Sequence, residues 1–391
     1  MNRLVPFKKM RDNTIEAFFA LLRAGLWEKD VRLVQFGKMN YEEIMRLAEE
    51  QSVVGLITEG LEHIQDAKVP QEDLLQFIGQ ALQLEQQNTV MNDYIAELIE
   101  RMRSDGIYTL LLKGQGIAQC YERPQWRAPG DIDLFLSDDN YNKAKKLLMP
   151  LGVMTQPEEK TKRHLAMNID QWEVELHGTL RGGLSARIDK ELDEIQKDTF
   201  YGGNVKSWNN NGTQIFLLGI ENNAFYVFSH FLCHFYKGGI GLRQICDWCR
   251  LLWTYRESLN RGLLDSRIRK AGLMSEWKAF GAFAVEFLGM PIEAMPLLDV
   301  RSQKEDGRCI IDKRLRRKAE RIKDFIMMSG NFGHNRDMSY YDKYPYFVRK
   351  VISLGRRCAD LFRHARIFPL DSIRFSFWIM LNGVRSAVRG E

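Results

Sequence analysis

Two aspartates stand one residue apart in the stretch Asp131-Ile132-Asp133-Leu134-Phe135-Leu136. In an extended strand residues i and i+2 project from one face, so both carboxylates would point the same way. Aspartate is depleted from strands, and strand packing gives no reason for such a pair. Two carboxylates at this spacing suit Mg²⁺, a hard cation that takes oxygen ligands and keeps waters and phosphate oxygens as the others. Glu175 sits centrally in Trp172-Glu173-Val174-Glu175-Leu176-His177. Brought beside the aspartates, it would allow a second Mg²⁺ ion. Two ions could activate an attacking hydroxyl and stabilise a leaving pyrophosphate. Glu173 shares the strand face of Glu175 and is its rival as third ligand. His177 shares that face too, either as a catalytic group or as a structural hydrogen-bond partner.

A second segment fits phosphate chemistry. The apolar run Leu110-Leu111-Leu112 ends in Lys113-Gly114-Gln115-Gly116. Glycines let backbone N–H groups approach phosphate oxygens, and a helix opening there favours anions. Lys113 and Arg127 could neutralise further phosphate charge. The plainer alternative for Lys113 is a lysine stem lying along apolar surface with its ammonium in water. Gly114-x-Gly116 half-matches a dinucleotide fingerprint, but the third glycine is missing and the acids open the second strand instead of ending it.

These residues must be placed by a change in sequence pattern. Before residue 105 the spacing is helical: Ile15, Phe18, Phe19, Leu22 and Leu26 form one stripe. Ile44 to Ile64 predicts a helix broken near Gly55, and Leu74 to Met102 a long one, closed by Asp105-Gly106. From Ile107 the pattern predicts short elements. These are a strand to Leu112, a short helix to Tyr121, a Pro- and Gly-containing loop, the Asp131–Leu136 strand and a helix opening at Ser137 or Asp138. An extended piece follows from Gly152, then a hairpin of His164–Ile169 and Trp172–His177 about Asp170-Gln171. Asn209 to Gly212 reads as a turn or boundary. Helical spacing then predicts helices near 214–236, 241–256, 260–271, 274–288, 310–328 and 344–365, with a loop over Ser329–Tyr341. The expected organisation is an α+β chain. It has an N-terminal helical region (1–105), a small mixed-sheet core (106–208), a C-terminal helical domain (209–330) and a basic, aromatic helical tail (331–391).

His230-x₃-His234 and Cys246-x₂-Cys249 could be read as four zinc ligands. Both pairs fall on predicted helices among core aromatics, where such spacings simply mark one face. His230, His234, Lys237, Arg243 and Asp247 are therefore carried as an auxiliary polar face over the site, or equally as a hydrogen-bonded core network.

The chain has 391 residues, 45% hydrophobic and 27% charged, which excludes wholesale disorder and fibrous repeats. Six cysteines do not make a disulfide scaffold. The formal charge is +5, unevenly spread: residues 301–391 hold 21 Lys/Arg against 10 Asp/Glu. A polyanion-binding surface is expected near the C-terminus if anywhere. Arg349, Lys350, Arg356, Arg357, Arg363, Arg366 and Arg374 mingle there with Phe347, Phe362, Phe368, Phe375, Phe377 and Trp378. That mixture suits a membrane surface, a nucleic acid or a protein partner, or a helix packed on the body with its arginines in water. Met1–Trp27 does not read as a secretory leader, and no run of ~20 apolar residues occurs, so the expected setting is cytoplasmic without a membrane span.

The layout of strand, glycine turn, short helix, loop, Asp-x-Asp strand and a later strand with a third acid resembles the polymerase-β-like nucleotidyltransferase superfamily. More narrowly, Leu112-Lys113-Gly114, Tyr121, Arg127, Asp131-Ile132-Asp133-Leu134 and Val174-Glu175-Leu176-His177 resemble a bacterial family usually called the uncharacterised nucleotidyltransferases. The resemblance spans Leu110 to His177. It implies a mixed sheet packed on helices, Mg²⁺, a nucleoside triphosphate as substrate and a small-molecule or macromolecular acceptor of unknown identity. Asp131 and Asp133 match the metal pair and Glu175 the third acid. Two positions depart from the pattern. Gln115 stands where a serine usually follows the glycine, and Glu175 stands where aspartate is common. A histidine-bearing helix followed by a helix with an Asp-Trp pair, here Asp247-Trp248, also recurs in that family without assigning roles. The implied reaction is NMP transfer to a hydroxyl with release of pyrophosphate, Glu175 helping to ionise that hydroxyl as general base or metal ligand. The alternative is a module of the same fold that binds nucleotide or a partner without catalysis. Action on nucleic acid is a weaker third possibility, since the acidic first 300 residues disfavour a broad phosphate track.

Overall fold

A computed structural model of the chain describes residues 12–160, 162–298, 300–302, 309–331 and 345–389. Helices α1 (Asp12–Trp27), α2 (Tyr41–Glu50) and α3 (Val54–Glu62) come first. The Ile15–Leu26 stripe of α1 turns inward, with Phe18, Leu22 and Leu26 fully buried. Helices α1 and α3 cross at backbone contact. A Cβ on Gly25 would lie 1.9 Å from the Leu56 carbonyl oxygen, and one on Gly60 2.1 Å from that of Leu21. Helix α4 (Gln71–Ser104) is 34 residues long. It carries Glu72 and Asp73 in its first turn and Arg101 and Arg103 in its last, matching the helix dipole at both ends.

The mixed sheet follows. Its strands are β1 (Thr109–Leu112), β2 (Ile132–Leu136), β3 (Gly152–Met154), β4 (His164–Ile169), β5 (Trp172–His177), β6 (Val205–Asn210) and β7 (Thr213–Leu218). Their order is β3-β4-β5-β2-β1-β7-β6. The central pair β2–β5 is parallel, with Asp133 beside Glu175; β1–β7 is parallel, and the other pairs are antiparallel. Short α5 (Gly114–Ala118), then α6 (Asp138–Leu148) and α7 (Ala186–Phe200), lie between strands. The fold is α+β, as expected. Details differ: 214–218 is strand, not the start of a helix, and α7 and β6 occupy stretches for which the spacing predicted no element. Ile215 and Leu217 pack beneath the sheet, and Phe216 pairs with Leu110 of β1.

Period-2 alternation gives the sheet two unlike faces. Leu111, Ile132, Leu134, Leu136, Val174 and Leu176 pack on the second half of α4 and on α6. Leu110, Leu112 and Phe135 join the main core on the other side. Asp133, Glu175 and His177 share that second face. Helices α8 (Ile220–Lys237), α9 (Leu242–Thr254), α10 (Arg261–Ala271), α11 (Met274–Glu286) and α12 (Lys313–Ser329) form the body there, sharing one core with α1–α3. Buried Arg250 of α9 ties the halves by donating to the carbonyls of Leu26 and Cys120. Helices α13 (Tyr346–Ala365) and α14 (Pro369–Arg389) close the chain. Ile367, Phe368 and Phe375 are buried, whereas Phe362, Leu370, Ile373 and Phe377 stand exposed. Residues 332–341 of the expected Ser329–Tyr341 loop, and residues 1–11, lie outside the described residues. Among the described residues no helix is long and apolar enough to cross a membrane.

Candidate active site

Strand β1 ends at Leu112, and the chain turns sharply through Lys113 and Gly114, both with positive φ (49° and 44°). For Lys113 this is a strained conformation, of the kind that persists where surrounding structure enforces it. The turn aims the Lys113 ammonium back across the sheet face. Its Nζ lies 2.9 Å from Asp133 Oδ1 and 3.1 Å from His230 Nε2. The same Asp133 oxygen receives His177 Nε2 at 2.8 Å. Parallel pairing brings Glu175 alongside, where its Oε2 lies 3.1 Å from His164 Nε2 and 3.2 Å from His177 Nε2. Asp131 precedes β2 at the rim and makes no hydrogen bond or ion pair among the described residues.

These groups line a cavity of about 540 Å³ between the sheet face and helices α7, α8 and α9. Lys113, Gly114, Arg127, Asp131, Asp133, Glu175 and His177 all face it, as do His230, His234, Lys237, Arg243 and Asp247. Gln115 and Gly116 do not. Gln115 donates from Nε2 to the Oδ1 atoms of Asn88 and Asn92 and so ties α5 to α4. A Cβ on Gly116 would meet Leu217 Cδ2 at 2.7 Å, so this glycine lets α5 sit close on β7. Glu173 is outside the cavity lining; Thr155 Oγ1 donates to its carboxylate at 3.2 Å.

The electrostatics are sharply divided. Burial and the neighbouring charges of Asp133 and Glu175 push Asp131 up to about 6. For Glu175, burial would raise the pKa, but the hydrogen bonds and charges of His164, His177 and Lys113 outweigh it and hold the carboxyl well below its usual range. Burial likewise opposes the charged forms of Lys113 and His177, yet Asp133 and Glu175 raise both above their ordinary values. His230 and His234 go the other way. Burial and the Lys113 charge depress them, His234 to about 4, so α8 presents neutral imidazoles.

Arg127 reaches the cavity wall but is held by Asp247 in a two-pronged ion pair, 2.8 Å at each prong. Tyr121 donates to the same carboxylate at 2.8 Å. Arg243, one turn before Asp247 on α9, donates to the carbonyls of Ala128 and Pro129. Lys237 Nζ donates to the Gly182 carbonyl. The buried Cys246 and Cys249 do not join the histidines. Among the described residues the one group of three or more metal-type side chains within reach of a shared ion is His164, Glu175 and His177.

A family model described as uncharacterised nucleotidyltransferase matches residues 37–289. The chain belongs to that family. The matched span runs from α2 through α11, so the family unit includes the helices on both sides of the sheet and not only the Leu110–His177 segment. Neither the curated proteins nor the solved structures offer a match to the chain.

Sequence reasoning passed over several cavity residues of this family member: His164, Lys162, Thr179, Arg181 and Tyr226. A signal for His164 was present. A two-residue turn at Asp170-Gln171 sets the register Ile169↔Trp172, and counting outward pairs His164 with His177.

Proposed function

We propose that the chain transfers a nucleoside monophosphate from a nucleoside triphosphate to an acceptor hydroxyl, releasing pyrophosphate. The observation that carries this is the convergence of Asp131, Asp133 and Glu175 on one cavity beside the Lys113–Gly114 turn. The donor set suits Mg²⁺, since all three are carboxylates and Asp131 is uncommitted among the described residues. Asp131 and Asp133 would hold the ion, with Glu175 next to them. Bound there, Mg²⁺ would neutralise phosphate charge and ease ionisation of the acceptor. Lys113 and Arg243 supply positive charge at the same wall for the triphosphate. In the reaction the acceptor oxygen bonds to the α-phosphorus, the bond from that phosphorus to the bridging oxygen breaks, and the hydroxyl proton leaves to a base. Glu175, held strongly ionised, fits charge stabilisation better than proton capture. The pocket beyond, walled by Leu184 and by Ile188 and Leu192 of α7, would take the acceptor.

Gln115 favours a second reading. Where a serine hydroxyl would assist phosphate, this side chain is turned into α4, which fits a site that binds nucleotide without rapid transfer. The exposed Phe362, Leu370, Ile373 and Phe377 among the C-terminal arginines support contact with a partner or membrane surface in either case. Triphosphate labelled at the α- or the γ-phosphorus, incubated with the protein and an extract of candidate acceptors, separates the readings. NMP transfer places only the α-label on an acceptor and loses it in Asp133→Asn. Transfer of the γ-label, or α-labelling unchanged in Asp133→Asn, contradicts the proposal.

A further inference from the structure

Outside the carboxylate pair, the cavity holds a second set of donors of a different chemical kind. Antiparallel pairing of β4 and β5 sets His164 directly opposite His177, with ring centroids 4.8 Å apart. Glu175 is two residues before His177 on the same strand, so its side chain leaves the same face. Both imidazole Nε2 atoms approach one oxygen, Glu175 Oε2, at 3.1 and 3.2 Å. The three donor atoms all lie within 4.8 Å of one another. Ligands about 2.1 Å from a shared ion stand roughly 3.0–3.4 Å apart along the edges of an octahedron or tetrahedron. The two histidine–glutamate edges already have that length. All three residues line the open cavity, which gives an ion access from solvent.

We propose that His164, Glu175 and His177 form a binding site for a borderline divalent transition ion of the Zn²⁺ class. Two imidazole nitrogens and a carboxylate oxygen discriminate against Mg²⁺, which favours oxygen alone, and follow the rising affinity of late first-row ions for nitrogen. The site would stand beside the Asp131–Asp133 pair and share its cavity, making the two cation positions chemically unlike. It does not depend on the transfer reaction: Glu175 is the one residue of the triad used in both, and the imidazoles belong to this site alone. His177 would exchange its hydrogen bonds to Asp133 and Glu175 for a metal bond, and Lys113 would remain as the Asp133 counter-ion.

The test is Co²⁺ titration of the full chain after chelator treatment, read by visible ligand-field absorption, with Zn²⁺ as competitor. The expected result is one Co²⁺ per chain, displaced by Zn²⁺ and not by Mg²⁺. His164→Gln should weaken that binding by more than about tenfold. His164 is half-buried at the start of β4, so this variant is expected to keep the parental thermal midpoint. Thiolate charge-transfer bands would place cobalt on a cysteine instead, such as exposed Cys358 or cavity-lining Cys233, and would overturn the proposal if they were the only bands. Absence of ligand-field bands in the parent, or bands undiminished in His164→Gln, would also overturn it. Asp131→Asn separates the two metal ideas. It should retain the cobalt spectrum while losing Mg²⁺–triphosphate binding. A parent that binds cobalt but no triphosphate leaves this site standing and removes the transfer reading.

Discussion

Acids in two parts of this molecule have opposite surroundings. Asp133 and Glu175 face the cavity, and basic side chains meet them at hydrogen-bond distance: Lys113 and His177 on Asp133, His164 and His177 on Glu175. Glu276 of α11 is fully buried in the helical body. Its main contacts are the Tyr236 hydroxyl at 3.3 Å and the Asp371 carboxyl of α14. Burial and the Asp371 charge push Glu276 up to about 8. Glu175 is held ionised by the donors the fold has brought to it; Glu276 is pushed toward the neutral form. Keeping charge in a buried place requires dedicated partners. Such partners surround Glu175 at the cavity, whereas Glu276 meets a tyrosine hydroxyl and a second carboxyl.

Breaking the cavity side should give the largest effect. Asp133→Asn removes the acid that two basic side chains share, and transfer activity should fall by at least about 10³-fold. Pyrophosphate release under saturating triphosphate checks this, once an acceptor is found. Next comes the wall of the same cavity. Arg127→Ala leaves Asp247 buried without its two-pronged partner and should cost about 3–5 kcal/mol in urea unfolding.

The helical acid should behave in the reverse sense with pH. Its pKa is higher folded than unfolded, so its contribution to stability is full below about 4.5 and is lost as pH rises toward about 8. Glu276→Gln should therefore match the parent at acid pH and become the more stable protein between these values, by on the order of a few kcal/mol. Thermal melts of both proteins across that range decide it; a gap that stays constant with pH contradicts the raised pKa. The smallest effect sharpens the contrast within one strand. Glu173→Gln, outside the cavity lining, should alter triphosphate affinity by less than about twofold, roughly 0.4 kcal/mol. A large loss there would move the third acid from Glu175 to Glu173.

Much of this site was legible because local rules place it. Asp131, Asp133, Glu175 and His177 follow from strand alternation, and the hairpin about Asp170-Gln171 from its turn. What escaped depends on distant partners. Thr213–Leu218 is apolar and runs almost directly into α8, so its spacing does not distinguish strand from helix. It becomes a strand because β1, about a hundred residues earlier, offers an edge. Gln115 looked like part of a phosphate turn, but buried Asn88 and half-buried Asn92 on α4 accept its donor hydrogens, and unpaired polar groups there would be costly. Helix α7 carried its own signal in Ser185, whose side chain caps Ile188, and in the spacing of Ile188, Leu192 and Ile195. The neutral state of His230 and His234 could not be read from their i, i+4 spacing, since it arises from burial next to Lys113.

The most direct measurement is isothermal titration of the four ribonucleoside triphosphates into the protein, with and without Mg²⁺, for the parent and for Asp131→Asn/Asp133→Asn. A cavity built to hold metal–triphosphate predicts binding of at least one nucleotide that requires Mg²⁺ and disappears in the double variant. Nucleotide binding that persists undiminished when both carboxylates are gone would contradict that assignment.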